Sequence, residues 1–104
     1  MMFKVTPAAA EQIKVATQQS GTEGMSLRLA AVTRADGTID YRMGFDEYQD
    51  EDIRFKSEGV EIIMEPEYVP LLDNAILDYV RLQDEEQEQF IFLNPKDPNY
   101  HPPE

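Results

Sequence analysis

The side chains with the most capacity for chemistry in this sequence are carboxylates. Asp46-Glu47-Tyr48-Gln49-Asp50-Glu51-Asp52 gathers oxygen donors of the kind calcium takes, and Asp84-Glu85-Glu86-Gln87-Glu88 is a second acidic run. Neither places a glycine at the turn or a closing glutamate at the end of a twelve-residue loop, so the EF-hand pattern fails. The first run reads instead as a solvated hairpin loop between two strands, the second as an acidic surface turn. His101 is the only histidine, and one imidazole seldom makes a metal site without partners. The chain has no cysteine, which excludes disulfides, thiolate metal sites and cysteine nucleophiles together. It shows no Ser–His–Asp order, no HExxH segment and no phosphate-cradling loop, its 5 glycines being ungrouped. The expectation is a protein that is not an enzyme and carries no cofactor.

These residues belong to a chain of 104, long enough for one domain, with 41% apolar residues to build a core. Its net charge of −12 repels phosphate backbones, which argues against nucleic acid as a partner and for a protein partner with a basic surface. No apolar run approaches the ~18 residues of a membrane span, and the N-terminus lacks a signal-like segment, so a cytoplasmic protein without a membrane partner is expected.

The elements that must position the side chains follow from periodicity. Phe3–Val5 is strand-like, and Thr6-Pro7 reads as N-cap and first helical residue. Ala9, Ile13 and Ala16 then form one helical stripe, and Gly21 suits the left-handed C-terminal position. Beyond it the period changes to two. Leu27–Val32 and Asp40–Phe45 flank Asp36-Gly37, a tight-hairpin signal. Ile53–Phe55 and Val60–Met64 flank Glu58-Gly59. Pro66–Leu72 has room for no more than a short helical turn, because Pro70 lacks an amide. Ile76–Arg81 and Gln89–Leu93 are the last strands. The expected fold is mainly β (α+β), a two-sheet β-sandwich or barrel with one N-terminal helix over residues 1–95 and a flexible tail at 96–104.

Several of these strings, in order, resemble the HesB/IscA family of iron–sulfur biogenesis proteins. The strings are Val5-Thr6-Pro7-Ala8-Ala9-Ala10-Glu11-Gln12-Ile13, Leu27-Arg28-Leu29, Tyr41–Asp46 (YRMGFD), Leu72-Asp73-Asn74-Ala75-Ile76-Leu77-Asp78-Tyr79-Val80 and Phe90-Ile91-Phe92-Leu93-Asn94-Pro95. The resemblance implies a HesB-like domain and a role in iron–sulfur cluster assembly. It also implies cluster ligation by three cysteines, one after the second strand and two as C-x-C in the tail, and a homo-oligomer as one option. Counted without gaps, those places fall at Asp36, His101 and Pro103, and all three thiolates are missing. Two readings stay open. One is a cluster-free accessory or binding module; the other is a weak iron or metal carrier using Asp36, His101 and further carboxylates. At Asp36, turn chemistry accounts for the aspartate without a metal.

Overall fold

The computed structural model describes residues 3–81 and 87–98. Strand β1 (Lys4–Val5) leads into α1 (Pro7–Ser20), whose start is fixed as its sequence suggests. Thr6 Oγ1 accepts from Ala9 N at 3.2 Å and donates to Asp78 Oδ1 at 2.6 Å, so one hydroxyl caps the helix and ties it to a distant strand. Gly21, at φ +70°, ends the helix. Its buried face is Ala9, Ala10 and Ile13, while Ala16 is only partly covered.

The strands that follow are β2 (Ser26–Thr33), β3 (Ile39–Asp46), β4 (Ile53–Ser57), β5 (Val60–Met64), β6 (Ile76–Arg81) and β7 (Glu88–Leu93). A 3₁₀ turn at Pro66–Tyr68 runs into the one-turn helix α2 (Val69–Leu72). One sheet has the order β1-β6-β7 and the other β3-β2-β5-β4. The fold is therefore mainly β in two mixed sheets, with α1 lying on β6. Parallel ladders join β1 to β6 and β2 to β5, and the remaining neighbours are antiparallel.

Both short hairpins match their turn residues. Glu58 and Gly59, at φ 53° and 77°, form the two-residue β4–β5 turn that needs positive φ at both positions. In the β2–β3 hairpin, Arg34 N donates to Thr38 O (2.7 Å) and Gly37 N to Arg34 O (3.0 Å), with Gly37 at φ 88°. Strand β7 begins at Glu88, paired with Arg81, so the last residue of the second acidic run belongs to a strand. The core is one cluster drawn from both sheets and α1, with Leu29, Ile62, Met64, Leu72 and Leu77 almost fully enclosed. Phe3 bridges the sheets through Phe55 and Phe92, and Tyr41 of β3 stacks on Phe92 of β7 at 4.4 Å.

One expectation is corrected. The run Asp46–Asp52 is not a hairpin loop, because β3 and β4 are the two edges of their sheet with β2 and β5 between them. A connection that crosses the sheet end must be held down, and it is not wholly solvated: Asp52 is buried at 8% exposure.

Candidate functional site

Two places collect polar side chains. The first is the corner where the β2–β3 turn meets the segment after β7. Asp36 is exposed in that turn, and its Oδ1 accepts from Thr38 N (3.0 Å) and Thr38 Oγ1 (2.6 Å). The Thr38 hydroxyl bond, helped by the Thr38 amide, holds the Asp36 carboxyl below its ordinary range. The carboxylate thus closes its own turn, as Asp-Gly turn chemistry anticipates.

The segment after β7 reaches this corner through Asn94, which is completely buried. Its Nδ2 donates to Leu71 O (2.7 Å), its Oδ1 accepts from Lys96 N (3.1 Å), and its own carbonyl accepts from Asp97 N (2.9 Å). Lys96 Nζ donates to Asp73 O at 2.6 Å. Tyr41 OH then donates to Asp97 Oδ2 at 3.0 Å, and burial, reinforced by Asp97, pushes the Tyr41 pKa up to about 12. A Cβ on Gly37 would stand 3.9 Å from Pro98 Cγ, so the turn carrying Asp36 lies against the root of the tail. His101 and Pro103 lie outside the described residues.

The second place is the crossing connection. Arg28 sits on the outer face of β2 and makes a bidentate pair with Asp52 (Nη1–Oδ1 2.8 Å, Nη2–Oδ2 2.6 Å). It also bonds Asp46 Oδ2 through Nε (2.7 Å) and Glu47 O through Nη2 (3.2 Å). Asp52 Oδ2 accepts from Gln49 N as well (2.8 Å), which shapes the loop tip. Arg54 stacks its guanidinium 4.7 Å from the Tyr48 ring centre. Arg28, Asp46, Tyr48 and Asp52, together with Glu65 and Glu67, border an open cleft of about 900 Å³.

The Arg28 hydrogen bond holds the Asp52 carboxyl below its usual range. The Glu47 amide, and then Arg28, do the same for Asp46. Groups lowered in the folded state stabilise it above their unfolded pKa of ~3.9 and lose that contribution as pH falls through the folded value. Glu65 runs the other way, raised by its hydrogen bond with Glu67. Acid unfolding of the parent chain should therefore steepen below about pH 4. An Arg28→Met variant should be less stable at pH 7 and show a flatter acid limb, measured by urea midpoints across pH. Parallel curves for parent and variant would contradict the pairing.

Sequence reading singles out Asp36 and, within its acidic run, Asp52, but gives no role to Arg28, Asp78 or the Asn94 side chain. For Arg28 a signal was available: a lone arginine inside the apolar run Leu27-Arg28-Leu29, in a chain with an acidic loop seeking a cation. Asn94 carries only the weak signal of a polar residue wedged between an apolar strand and a proline. Among the described residues, no group of three or more His, Cys, Asp or Glu side chains converges to hold a metal ion. No described helix is long and apolar enough to cross a membrane.

A helix capped and tied to β6, two mixed sheets, and a hairpin turn against the root of the segment after β7 make up the framework of this protein. The family model "Iron-sulphur cluster biosynthesis" matches residues 1–98. The chain belongs to this family, HesB/IscA, as a divergent member without cysteine. It is 38% identical over 80 residues to a protein of Aquifex aeolicus (76% of this chain, 69% of the relative). It is 31% identical over 96 residues to the iron-binding protein IscA of Yersinia enterocolitica (91% of this chain, 87% of the relative). Among solved structures, Escherichia coli SufA, involved in biosynthesis of iron–sulfur clusters, superposes with a TM-score of 0.75 at 25% identity, covering 96% of this chain and 86% of that one.

Iron–sulfur clusters are held chiefly by thiolates, and this sequence supplies none. Its carboxylate at the corner is already bonded within its own turn. The donor set does not fit a cluster.

Proposed function

We propose that this protein is a non-catalytic accessory or binding module of iron–sulfur cluster assembly that carries no cluster itself. One observation carries the reading: the family fold is retained over nearly the whole chain in a sequence without a single thiolate. The role that remains is recognition of a protein partner. A net charge of −12 suits a partner with a basic face, met by fast and salt-sensitive association, in the cytoplasm.

The test is anaerobic reconstitution with ferrous iron and sulfide, read by visible absorption and metal analysis after desalting. The expected result is no sulfide-to-iron charge-transfer absorption and metal at the level of a protein-free blank. Stoichiometric iron with sulfide would overturn the reading. Iron retained without sulfide would favour a weak metal carrier using Asp36 and His101. The turn holding Asp36 lies at the root of the segment that leads to His101, which makes that second reading specific enough to test. In that case an Asp36→Ala/His101→Ala variant should lose the metal; equal binding by both chains would refute those ligands.

A further inference from the structure

We propose that the free edge of β3 is a self-association surface, on which a second copy of this chain adds its own β3 antiparallel and in one register, with Tyr41 opposite Tyr41. Strand β3 ends its sheet, and among the described residues it pairs with β2 alone, over eight residues, Ile39–Asp46, without a bulge. The Arg34–Thr38 hydrogen bond closes the hairpin, and the alternation of an antiparallel ladder follows from it. Even-numbered β3 residues bond to β2. Ile39, Tyr41, Met43 and Phe45 turn their N–H and C=O groups outward, the template on which strand addition works.

Side chains then choose the register. Tyr41 and Phe45 face the core cluster, so Asp40, Arg42 and Asp46 lie on the opposite, solvent face. Centring the pair on Arg42 would set arginine against arginine, and centring it on Met43 would set Asp40 against Asp46. Centring it on Tyr41 sets Asp40 against Arg42 twice, at positions whose Cα atoms approach to about 4.5 Å. It also lays half-exposed Met43 (38%) beside Ile39 of the second copy. Asp40 already holds Arg42 of its own strand at only 3.6 Å and Arg34 at 3.2 Å, loose exposed pairs that a facing Arg42 can extend into a four-charge ladder. A register centred on Gly44 would set Arg42 against Asp46, whose carboxylate is committed to Arg28 at 2.7 Å.

The other edges lack this pattern. Strand β4 shows Arg54 and Lys56 on one face, which repel their own copies, and β7 has Glu88 as its only charge. The repulsion between two chains of net charge −12 is screened beyond about 8 Å at physiological ionic strength, leaving the short-range pairs to decide.

The absence of native cysteine makes disulfide trapping a clean test. Asp40→Cys and Arg42→Cys chains are mixed in equal amounts with oxidised glutathione and followed on non-reducing gels. The trapped pair keeps one Asp40–Arg42 contact intact. The mixture should form dimer on the order of tenfold faster than a Lys56→Cys chain on the opposite edge, since strand pairing raises the effective thiol concentration. Each single variant alone should stay at the control rate, because its thiols lie farther apart than the ~7 Å Cα limit of a disulfide. A mixture no faster than the control overturns the self-pairing. Arg42→Cys alone outpacing the mixture overturns the register. Neither outcome depends on iron or on a basic partner, so this proposal and the functional reading fail separately.

Discussion

Replacing Asn94 with alanine is expected to destabilise the protein by about 2 kcal/mol, because it removes a fully buried side chain that bonds the Leu71 carbonyl and the Lys96 amide. For a chain of this size that corresponds to a fall in Tm of roughly 10 °C. Asn94 is fully enclosed, so water cannot easily replace the lost bonds. Aspartate, nearly isosteric, should do no better at neutral pH. It keeps the acceptor for Lys96 but turns a second oxygen toward the Leu71 carbonyl and buries a charge. Its folded pKa would lie above the unfolded value, so the Asn94→Asp deficit should grow as pH rises through the folded value and shrink at acid pH. Urea midpoints at pH 5 and pH 8 separate the cases. An alanine variant within about 0.5 kcal/mol of the parent, the range of ordinary surface changes, would refute the role given to this side chain.

That same residue shows where sequence reading stops. The strands and helix were legible because their signals are local: the Ala9–Ile13 stripe, the Thr6-Pro7 start, Asp36-Gly37 and Glu58-Gly59 at the turns. At Glu58-Gly59 the turn was marked by its glycine, and the structure adds that Glu58 also takes positive φ, 53°. The long-range partnerships were not legible. Thr6 to Asp78, Asn94 to Leu71, and Arg28 to Asp52 join residues far apart in sequence, and nothing local in either partner names the other. The Asp46–Asp52 connection differs from a hairpin loop for the same reason. Periodicity identifies two strands and a loop, but not that β2 and β5 lie between them. Of the corner, the turn at Asp36 was legible, whereas the way Asn94 and Tyr41 bring Asp97 and Pro98 against it belongs to the packing.

The largest change should come from giving the corner back its thiols. An Asp36→Cys/His101→Cys/Pro103→Cys variant is expected to go from no cluster to a cluster on anaerobic reconstitution with iron and sulfide. The gain should appear as visible charge-transfer absorption and matched iron and sulfide contents, abolished by strong chelators. These positions are the cysteine places that family resemblance assigns. The structure adds that the turn at position 36 lies against Pro98, from which the other two follow within a few residues. Removing the Asp36 carboxylate opens its bonds to Thr38, worth about 1 kcal/mol for a typical hydrogen bond, while Gly37 at φ 88° still suits the hairpin. The fold should therefore survive the change. His101→Cys/Pro103→Cys without the third thiol should bind far less, since a cluster loses a ligand at the turn. If the triple variant stays colourless while its circular dichroism matches the parent, missing thiolates are not what sets this chain apart from its iron-binding relatives, and more of the corner than its ligands has diverged.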